Sequence, residues 1–170
     1  MKKNITLIGM PGSGKSTIGV ILSKQLSFDF IDTDILIQKM YQTTLQNIVD
    51  EKGYMKLREI EKNTILSINS SKNVIATGGS AVYENESMLH LKNISYVIFL
   101  KVDFDTLTKR VKDFDKRGIA KAKHQTFSDL YDERNILYGK YSDFTIENSS
   151  ATHEETVHKI VEYIKTKNLI

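Results

Sequence analysis

A glycine-rich segment near the beginning of the sequence has the residue types and the spacing of a phosphate-binding loop. Residues 9–16 read Gly-Met-Pro-Gly-Ser-Gly-Lys-Ser, which matches the pattern G-x-x-x-x-G-K-S/T between an apolar run and a helical pattern. Glycines let such a loop turn its backbone N–H groups toward phosphate, and the following helix adds a partial positive charge. Lys15 can then reach the β- and γ-phosphates, and the Ser16 hydroxyl can bind Mg²⁺. The segment predicts nucleotide binding through Gly12, Ser13, Gly14, Lys15, Ser16 and Thr17.

Two aspartates, Asp32 and Asp34, form the second group of residues that could do chemistry. They follow a short apolar run, Phe28–Ile31. Residues two apart in an extended segment face the same side, so both carboxylates can point at the phosphate loop. We expect Asp32 to support Mg²⁺ and Asp34 to accept the proton of a substrate hydroxyl. The structural alternative is that Asp34 caps a helix and Asp32 lies in a turn, since aspartate is favoured in both places.

The sequence lacks the features of two other classes of phosphate-loop protein. The guanine-reading pattern Asn-Lys-x-Asp is absent, which counts against a GTPase. A motor-type ATPase usually carries an acidic residue at the end of a second apolar strand. Here the run Tyr96–Leu100 ends in Lys101, and the run Val74–Ala76 ends in Thr77 and two glycines. The acidic pair after Phe28–Ile31 therefore favours transfer of phosphate to a small molecule over a switch or a motor.

Strand-like and helix-like segments alternate along the chain, and these elements must position the two groups. Apolar runs predict strands at Ile5–Ile8, Phe28–Ile31, Val74–Ala76, Ser95–Leu100 and Phe144–Ile146. Helical spacing predicts helices at Thr17–Leu26, Met55–Ile68, Phe104–Phe114 and Phe127–Ser142, and two capping-box patterns predict helix starts at Thr43 with Gln46 and at Thr152 with Glu155. This alternation predicts an α/β fold with a parallel sheet covered on both faces, and ligands bind at the carboxyl ends of such strands.

Composition restricts the remaining possibilities. The chain has 170 residues, 40% hydrophobic and 26% charged, with a net charge of +3, which is typical of one globular domain rather than a disordered chain. Its lack of cysteine fits a reducing cytoplasm. The apolar runs fall far short of the ~20 residues of a membrane-spanning helix. We find no basic tract long enough to predict a nucleic-acid partner.

An ordered set of motifs spanning residues 9 to about 150 resembles the shikimate kinases, small members of the group that contains the nucleoside monophosphate kinases. The set begins with the phosphate loop and the aspartate pair. Gly53 follows, with a Leu-Arg-Glu-Ile-Glu segment at 57–61 that is similar to the family's Phe-Arg-x-x-Glu. The later motifs are Ala-Thr-Gly-Gly at 76–79, Arg110 before a basic loop, Arg117 inside that loop, and Arg134 with Tyr138 and Asp143.

The resemblance implies a fold and an activity. The fold is a three-layer P-loop kinase fold, with a five-stranded parallel sheet in the order 2-3-1-4-5. It would be a single domain over residues 1–170, with substrate-binding helices at about 34–62 and a mobile lid at about 113–126. The implied activity is transfer of the γ-phosphoryl group of ATP to the 3-hydroxyl of shikimate, with Mg²⁺, in the synthesis of chorismate and the aromatic amino acids. The implied state is a cytoplasmic monomer without nucleic-acid or membrane partners.

Four residues are expected to bind the acceptor beside Asp34. Shikimate is a small anionic polyol, and the planar fork of arginine suits its carboxylate better than lysine does. Arg58 and Arg134 are the candidates, with a surface ion pair as the alternative for each. Gly78 and Gly79 would let backbone N–H groups approach the substrate, where a side chain would block it. The alternative is that they only form a turn at the end of a strand.

Two further arginines are expected to act on the nucleotide. Arg117, on a closing loop, could neutralise charge on the transferring phosphoryl group together with Lys15. By resemblance, Arg110 would pack on the adenine ring through a cation–π contact. The alternatives are a solvated basic loop for Arg117 and an exposed helix residue for Arg110.

The sequence departs from the family pattern at several positions. Ser80 replaces the third glycine, Gly118 replaces the proline after the lid arginine, Leu57 replaces a phenylalanine, and Ile136 replaces the proline after Arg134. None of these removes a catalytic group, but several touch the acceptor pocket or the lid. They leave two alternatives open: a related kinase with another acceptor, such as gluconate, and a non-catalytic ATP-binding module.

Overall fold

The computed structural model describes residues 2–111, 118–122 and 124–169 of the chain. Within these residues, short apolar runs form five strands of one sheet, ordered β2-β3-β1-β4-β5. Each of the four strand pairings is parallel. This confirms the predicted fold class and strand order. The strands are β1 Asn4–Ile8, β2 Asp29–Asp32, β3 Asn73–Ala76, β4 Ser95–Lys101 and β5 Phe144–Glu147.

Helices connect the strands, as right-handed crossovers in parallel sheets require. Their bounds are α1 Lys15–Leu26, α2 Thr33–Tyr41, α3 Leu45–Lys52, α4 Tyr54–Leu66, α5 Asn85–Ile94, α6 Phe104–Arg110, α7 Phe127–Tyr141 and α8 His153–Thr166, with a single 3₁₀ turn at Ala81–Tyr83. None of the helices in the described ranges is long and apolar enough to cross a lipid bilayer.

The sheet divides the core into two layers because side chains alternate along each strand. On one face, Ile5 and Leu7 of β1 pack with apolar residues of α1 and α8, such as Ile18 and Ile160. On the other face, Ile8 belongs to a cluster that draws on α4, α5 and α7. The result is the three-layer arrangement that the sequence predicts.

A third apolar cluster joins the helices between β2 and β3. Ile37 of α2, Ile48 of α3, and Leu57 and Ile60 of α4 are buried together. Ala120, from the segment before α7, packs into the same cluster. The helices predicted to bind the acceptor therefore have a small core of their own, and residues of the predicted lid region contribute to it.

Several element boundaries differ from the predictions. The helix expected to begin with a capping box at Thr43 begins after Thr44, whose hydroxyl accepts from the Asn47 backbone N–H. Thr44 has the extended backbone that lets a side chain reach forward, so it caps the helix instead. The capping box of Thr152 and Glu155 is confirmed. The helix predicted for Phe104–Phe114 ends at Arg110, and residues 112–117 lie outside the described residues.

Candidate active site

The predicted phosphate loop lies between β1 and α1. It includes Gly12, whose φ of +82° is one that residues with a side chain rarely adopt. A Cβ at this position would also overlap the side chain of Val111. The loop ends in the N-terminus of α1, where the Ile18 N–H donates to Gly14 O at 2.9 Å. The tight wrap that anion binding requires is therefore present.

Lys15 is buried at the centre of this loop. Its Nζ donates to the carbonyl oxygens of Gly9 at 2.8 Å and Met10 at 2.9 Å. Burial lowers the pKa of Lys15 to about 8, and the carboxylates of Asp34 and Asp32 only partly oppose this shift. A partly desolvated ammonium group interacts more strongly with phosphate than an exposed one does.

Asp32 accepts three hydrogen bonds, two at one carboxylate oxygen and one at the other. Its Oδ1 accepts from the backbone N–H groups of Asp34 at 3.0 Å and Ile35 at 3.2 Å, so Asp32 is the N-cap of α2. Its Oδ2 accepts from the Ser16 hydroxyl at 2.6 Å. Asp32 therefore contacts the phosphate loop, the side toward which the sequence analysis expected its carboxylate to point. The alternative that Asp34 is the cap is wrong, because Asp32 occupies that position.

The oxygen atoms of Ser16 and Asp32 fit a magnesium ion. Mg²⁺ takes oxygen ligands and is usually held by one or two protein groups together with phosphate oxygens and water. No group of three or more His, Cys, Asp or Glu residues that could hold a metal occurs in the part of the chain that the structure describes. Ser16 and Asp32 are the residues that would hold the magnesium ion.

Asp34 lies in the first turn of α2, not in an extended segment as the sequence argument assumed. The residue is partly exposed, but its Oδ1 is buried and has no hydrogen-bond partner among the described residues. Burial raises the pKa of Asp34 to about 6, with a further increase from Asp32, while Lys15 opposes the shift. A carboxylate with a free oxygen and a raised pKa is suited to accept a proton.

The Gly78–Gly79 turn fits closely between the acceptor residues. A Cβ on Gly78 would lie 2.7 Å from Asp34 Oδ1, and one on Gly79 would lie 2.8 Å from Arg134 Nη1. The Thr33 hydroxyl accepts from the Gly78 N–H at 3.0 Å. Each glycine therefore lies close to one of the predicted acceptor residues, while the Gly78 N–H, which was expected to approach the substrate, already has the Thr33 hydroxyl as its partner.

Arg134 is 1% exposed, which is unusual for arginine. Its Nη2 donates to Ala120 O at 2.9 Å. Tyr138, one helical turn later, donates to Gly79 O at 2.6 Å. These contacts hold α7 against the glycine turn. The alternative of a surface ion pair for Arg134 is wrong, because the side chain is buried.

Glu61 is a buried carboxylate to which the sequence analysis gave no role. The Ser80 hydroxyl donates to it, so the serine that replaces the family's third glycine has a specific partner. Burial and the charge of Asp34 raise the pKa of Glu61 to about 7. The Ser80 hydrogen bond, Arg134 and Arg58 oppose this increase. The site therefore contains two neighbouring carboxyl groups with raised pKa values.

A cavity of about 350 Å³ brings most of the predicted site residues together. Its lining comes from the phosphate loop and the start of α1, from helices α2, α3, α4 and α7, from the turn after β3 and from the 118–120 segment. The predicted site residues among them are Gly12, Gly14, Lys15, Ser16, Thr17, Asp34, Gly79 and Arg134.

Arg58 is not among the residues that line this cavity. It lines an adjoining one of about 400 Å³ with Tyr54 and His124. Its guanidinium carbon lies 3.7 Å from the centre of the Tyr83 ring, and that of Arg134 lies 5.4 Å from the same centre. The two predicted carboxylate-binding arginines therefore come from different helices but share one aromatic neighbour.

The nucleotide side of the site includes residues that the sequence analysis missed. Asn148 is buried, and its Nδ2 donates to Ser13 O at 2.8 Å while its Oδ1 accepts from the Thr156 hydroxyl. Arg110 Nη2 donates to the carbonyl oxygens of Asn148 at 3.3 Å and Ser149 at 3.2 Å. Arg110 therefore lies at the end of β5 as well as of α6. Arg117 lies outside the described residues.

The fold and the site define a small P-loop kinase. The family model for shikimate kinase matches residues 11–165, and the chain belongs to this family. It is 38% identical over 167 residues to a shikimate kinase of Clostridium botulinum, with 96% of each chain covered. A shikimate kinase from Acinetobacter baumannii, solved in complex with shikimate, is 26% identical with a TM-score of 0.91, covering 100% of this chain and 97% of the other.

More distant structures share the fold alone. Thymidylate kinase from Candida albicans has a TM-score of 0.62 at 16% identity, covering 98% of this chain and 92% of the other.

Proposed function

We propose that this chain is an ATP-dependent kinase that phosphorylates the 3-hydroxyl of shikimate. The observation that carries the proposal is that one cavity joins the phosphate loop to Asp34 and Arg134. A phosphoryl donor bound at the loop would lie next to a carboxylate and a buried cation, which are suited to an anionic alcohol. Membership of the shikimate kinase family supports this acceptor, and the relative from A. baumannii was solved with shikimate bound.

The proposed acceptor site has complementary charges at its two ends. Arg134, and Arg58 beside it, would bind the carboxylate of shikimate, for which paired arginine forks are well suited. The free Oδ1 of Asp34 would accept a hydrogen bond from the 3-hydroxyl. The Gly78–Gly79 turn lies between Asp34 and Arg134, so a molecule of the size of shikimate in this cavity would contact both of them.

In the proposed reaction, the 3-hydroxyl oxygen forms a bond to the γ-phosphorus while the bond to the bridging oxygen of ADP breaks. Asp34 receives the hydroxyl proton. Lys15 stabilises the negative charge that the phosphate oxygens carry. A bound Mg²⁺ would neutralise further charge on those oxygens, with Ser16 and Asp32 as its protein ligands. Positioning and electrostatic stabilisation supply most of the rate enhancement in such reactions.

The finer expectations from the sequence form part of the same proposal. The chain would be one domain over residues 1–170, with α2, α3 and α4 within the acceptor-binding stretch at about 34–62 and a lid at about 113–126. Arg117 in the lid would stabilise the transferring group, and Arg110 would pack on adenine. The enzyme would be a cytoplasmic monomer with no nucleic-acid or membrane partner. Gel filtration coupled to light scattering, which measures the molar mass in solution, tests the monomeric state.

An ADP-release assay with different acceptors tests the proposal. We expect kcat/KM for shikimate to exceed that for quinate, gluconate and nucleoside monophosphates by about a hundredfold or more, since buried polar groups reject acceptors that leave them unpaired. A preference for gluconate or another acceptor would overturn the substrate and leave a kinase. ATP binding without product from any acceptor would indicate a non-catalytic module.

Replacing Asp34 tests its role in the reaction. We expect Asp34→Asn to lower kcat by about 10²–10⁴-fold, the usual effect of losing a general base, while ATP affinity measured by calorimetry stays within about threefold. Asp132→Asn, at an exposed position on α7, is the matched control and should retain full activity. Near-normal turnover of Asp34→Asn would remove Asp34 from the mechanism.

A further inference from the structure

Tyr83 lies at the end of the 3₁₀ turn that follows the Gly78–Gly79 turn. The turn is closed by a hydrogen bond from the Tyr83 N–H to Ser80 O at 3.0 Å. The side chain is only partly buried, so its ring is not simply a filler of the core. The sequence analysis gave this residue no role.

The ring of Tyr83 contacts both arginines that are proposed to bind the acceptor carboxylate. The guanidinium carbon of Arg58 lies 3.7 Å from the ring centre, and that of Arg134 lies 5.4 Å from it. The Nε of Arg134 also donates to the Tyr83 hydroxyl at 3.4 Å. One aromatic ring is thus the common neighbour of two positive charges.

The two arginines differ in how firmly other groups hold them. Arg134 is buried and donates to Ala120 O. Arg58 is partly exposed, and its Nε has no hydrogen-bond partner among the described residues. A second ring, that of Tyr54, lies 5.3 Å from the guanidinium carbon of Arg58. Aromatic faces are therefore the main contacts that orient Arg58.

Two guanidinium groups near one another repel, and this repulsion would spread them apart unless negative charge compensates it. The π face of an aromatic ring carries partial negative charge and attracts cations. The Glu61 carboxylate, when ionised, adds a negative charge that acts on both arginines. A clamp whose side chains are already ordered loses less entropy when it binds its ligand.

We propose that Tyr83 is a positioning residue that holds Arg58 and Arg134 together as a clamp for the carboxylate of the acceptor. The proposal rests on the proposed function, because it assigns the clamp to an acidic acceptor. Tyr83 itself does not contact the reacting atoms. Its effect is on acceptor binding, and it acts through the two guanidinium groups.

Steady-state kinetics of Tyr83→Leu and Tyr83→Phe test the proposal. KM for shikimate is measured at saturating ATP, and KM for ATP is measured at saturating shikimate. Tyr83→Leu removes the ring, so we expect KM for shikimate to rise about tenfold, while kcat and KM for ATP stay within about threefold. Tyr83→Phe keeps the ring and loses only a long hydrogen bond, so all three constants should stay within about threefold. Equal behaviour of the two variants would overturn the proposal.

A neutral acceptor provides a second readout that a purely structural role would not change. If the clamp recognises the carboxylate, wild-type enzyme prefers shikimate to its methyl ester, and Tyr83→Leu reduces this preference about tenfold. A variant that loses activity equally on the acid and the ester would contradict the proposal. If Tyr83→Leu does not fold, Tyr83→Met, which fills a similar volume without a ring, replaces it with the same expected outcomes.

Tyr141→Leu is the matched control. Tyr141 is a buried tyrosine of α7 whose hydroxyl donates to Asn85, away from both arginines. We expect it to lower thermal stability without changing the preference for acid over ester. The two hypotheses can fail separately: wild-type enzyme without activity on shikimate would reject the proposed function, whereas active wild-type enzyme with an unchanged acid preference in Tyr83→Leu would reject only the role of Tyr83.

Discussion

The hydroxyl of Ser80 donates a hydrogen bond to the carboxylate of Glu61, and both residues are 4% exposed. Ser80 replaces a glycine of the family pattern. Its hydroxyl therefore gives the buried carboxylate a hydrogen-bond donor that a glycine side chain could not provide. The hydrogen bond favours the ionised form of Glu61, against burial and the charge of Asp34, which together raise its pKa. The departure is therefore tied to the electrostatics of the acceptor site.

Ser80→Ala should destabilise the protein in a pH-dependent way. Removal of the hydroxyl leaves an ionised, buried Glu61 without this partner, which costs about 1–3 kcal/mol of unfolding free energy at pH 8. At pH 5 Glu61 is protonated in the folded protein, because its pKa is about 7, and the cost should be smaller. Urea unfolding at the two pH values measures this. In a Glu61→Gln background the pH-dependent part should vanish, and a cost that persists there would contradict the assignment.

The pH profile of activity should be bell-shaped. In the proposed mechanism Asp34 acts deprotonated, and its pKa is raised to about 6, so kcat/KM for shikimate should fall about tenfold per pH unit below about pH 6. Lys15 would act protonated, and its pKa is lowered to about 8, so activity should also fall above about pH 8. Steady-state rates at constant ionic strength between pH 5 and 9.5 measure both limbs.

The Glu61→Gln variant distinguishes the contributions of Glu61 and Asp34 to the acid limb of this pH profile. Glu61 and Asp34 interact, so the acid limb of the wild-type enzyme belongs to the pair. An acid limb that remains in Glu61→Gln is due to Asp34. A profile that is flat from pH 5 to 7 in this variant would show that Asp34 is not the group whose ionisation the reaction needs.

Gly118→Ala should destabilise the protein, although replacing glycine by alanine normally stabilises a folded chain by reducing the entropy of the unfolded state. Gly118 has a φ of +60°, and a Cβ there would lie 2.6 Å from the Gln46 backbone nitrogen. Its N–H donates to Gln46 Oε1 at 2.6 Å. Proline, the residue of the family pattern, cannot adopt this φ either. We expect a loss of about 1–2 kcal/mol in unfolding free energy, measured by urea titration.

Gly139→Ala is the control for that substitution. Gly139 lies within α7, and nothing lies within 4 Å of a Cβ built there. Alanine is the better helix former, so this variant should gain up to about 1 kcal/mol. A shift of the same sign in both variants would contradict the explanation based on backbone conformation and close approach.

Asn148→Ala should weaken nucleotide binding more than acceptor binding. Asn148 links Ser13 of the phosphate loop to Thr156 of α8, and both of its hydrogen bonds are buried. Their loss leaves the loop carbonyl unpaired, which costs about 1–3 kcal/mol and should raise KM for ATP about tenfold. Thr156→Val, which removes the hydroxyl that bonds Asn148 and also the Thr152 carbonyl, should give a smaller change in the same direction. An equal rise in both KM values would contradict this role.

Local patterns predicted the parts of the molecule that depend on neighbours in sequence. The phosphate loop, the strand before it and the helix after it are determined by residues within about 20 positions of one another, and the prediction was confirmed. The Thr152–Glu155 capping box is equally local. Asp34 was identified for its chemistry, but the aspartate pair was interpreted as an extended segment, and the alternative assigned the helix cap to Asp34 instead of Asp32.

Contacts between distant segments account for what the sequence did not show. Asn148 contacts Ser13, 135 positions away in the sequence, and Tyr83 contacts Arg134, 51 positions away. No sequence motif predicts either contact. Arg58 was expected in the main cavity, yet it lines the adjoining one, because its place depends on the rings of Tyr54 and Tyr83. Such placements follow from tertiary packing, which periodicity and spacing do not encode.

The strand order has a consequence for how far the chain can diverge. The loop for the phosphoryl donor follows β1, the glycine turn follows β3, and the aspartates follow β2, and these three strands are neighbours. Adjacent strands are held about 4.8 Å apart by their backbone hydrogen bonds, whatever their side chains. The spacing between the segments that follow these strands is thus set by main-chain geometry. Substitutions can change which donor and acceptor would bind without changing the distance over which the proposed transfer takes place.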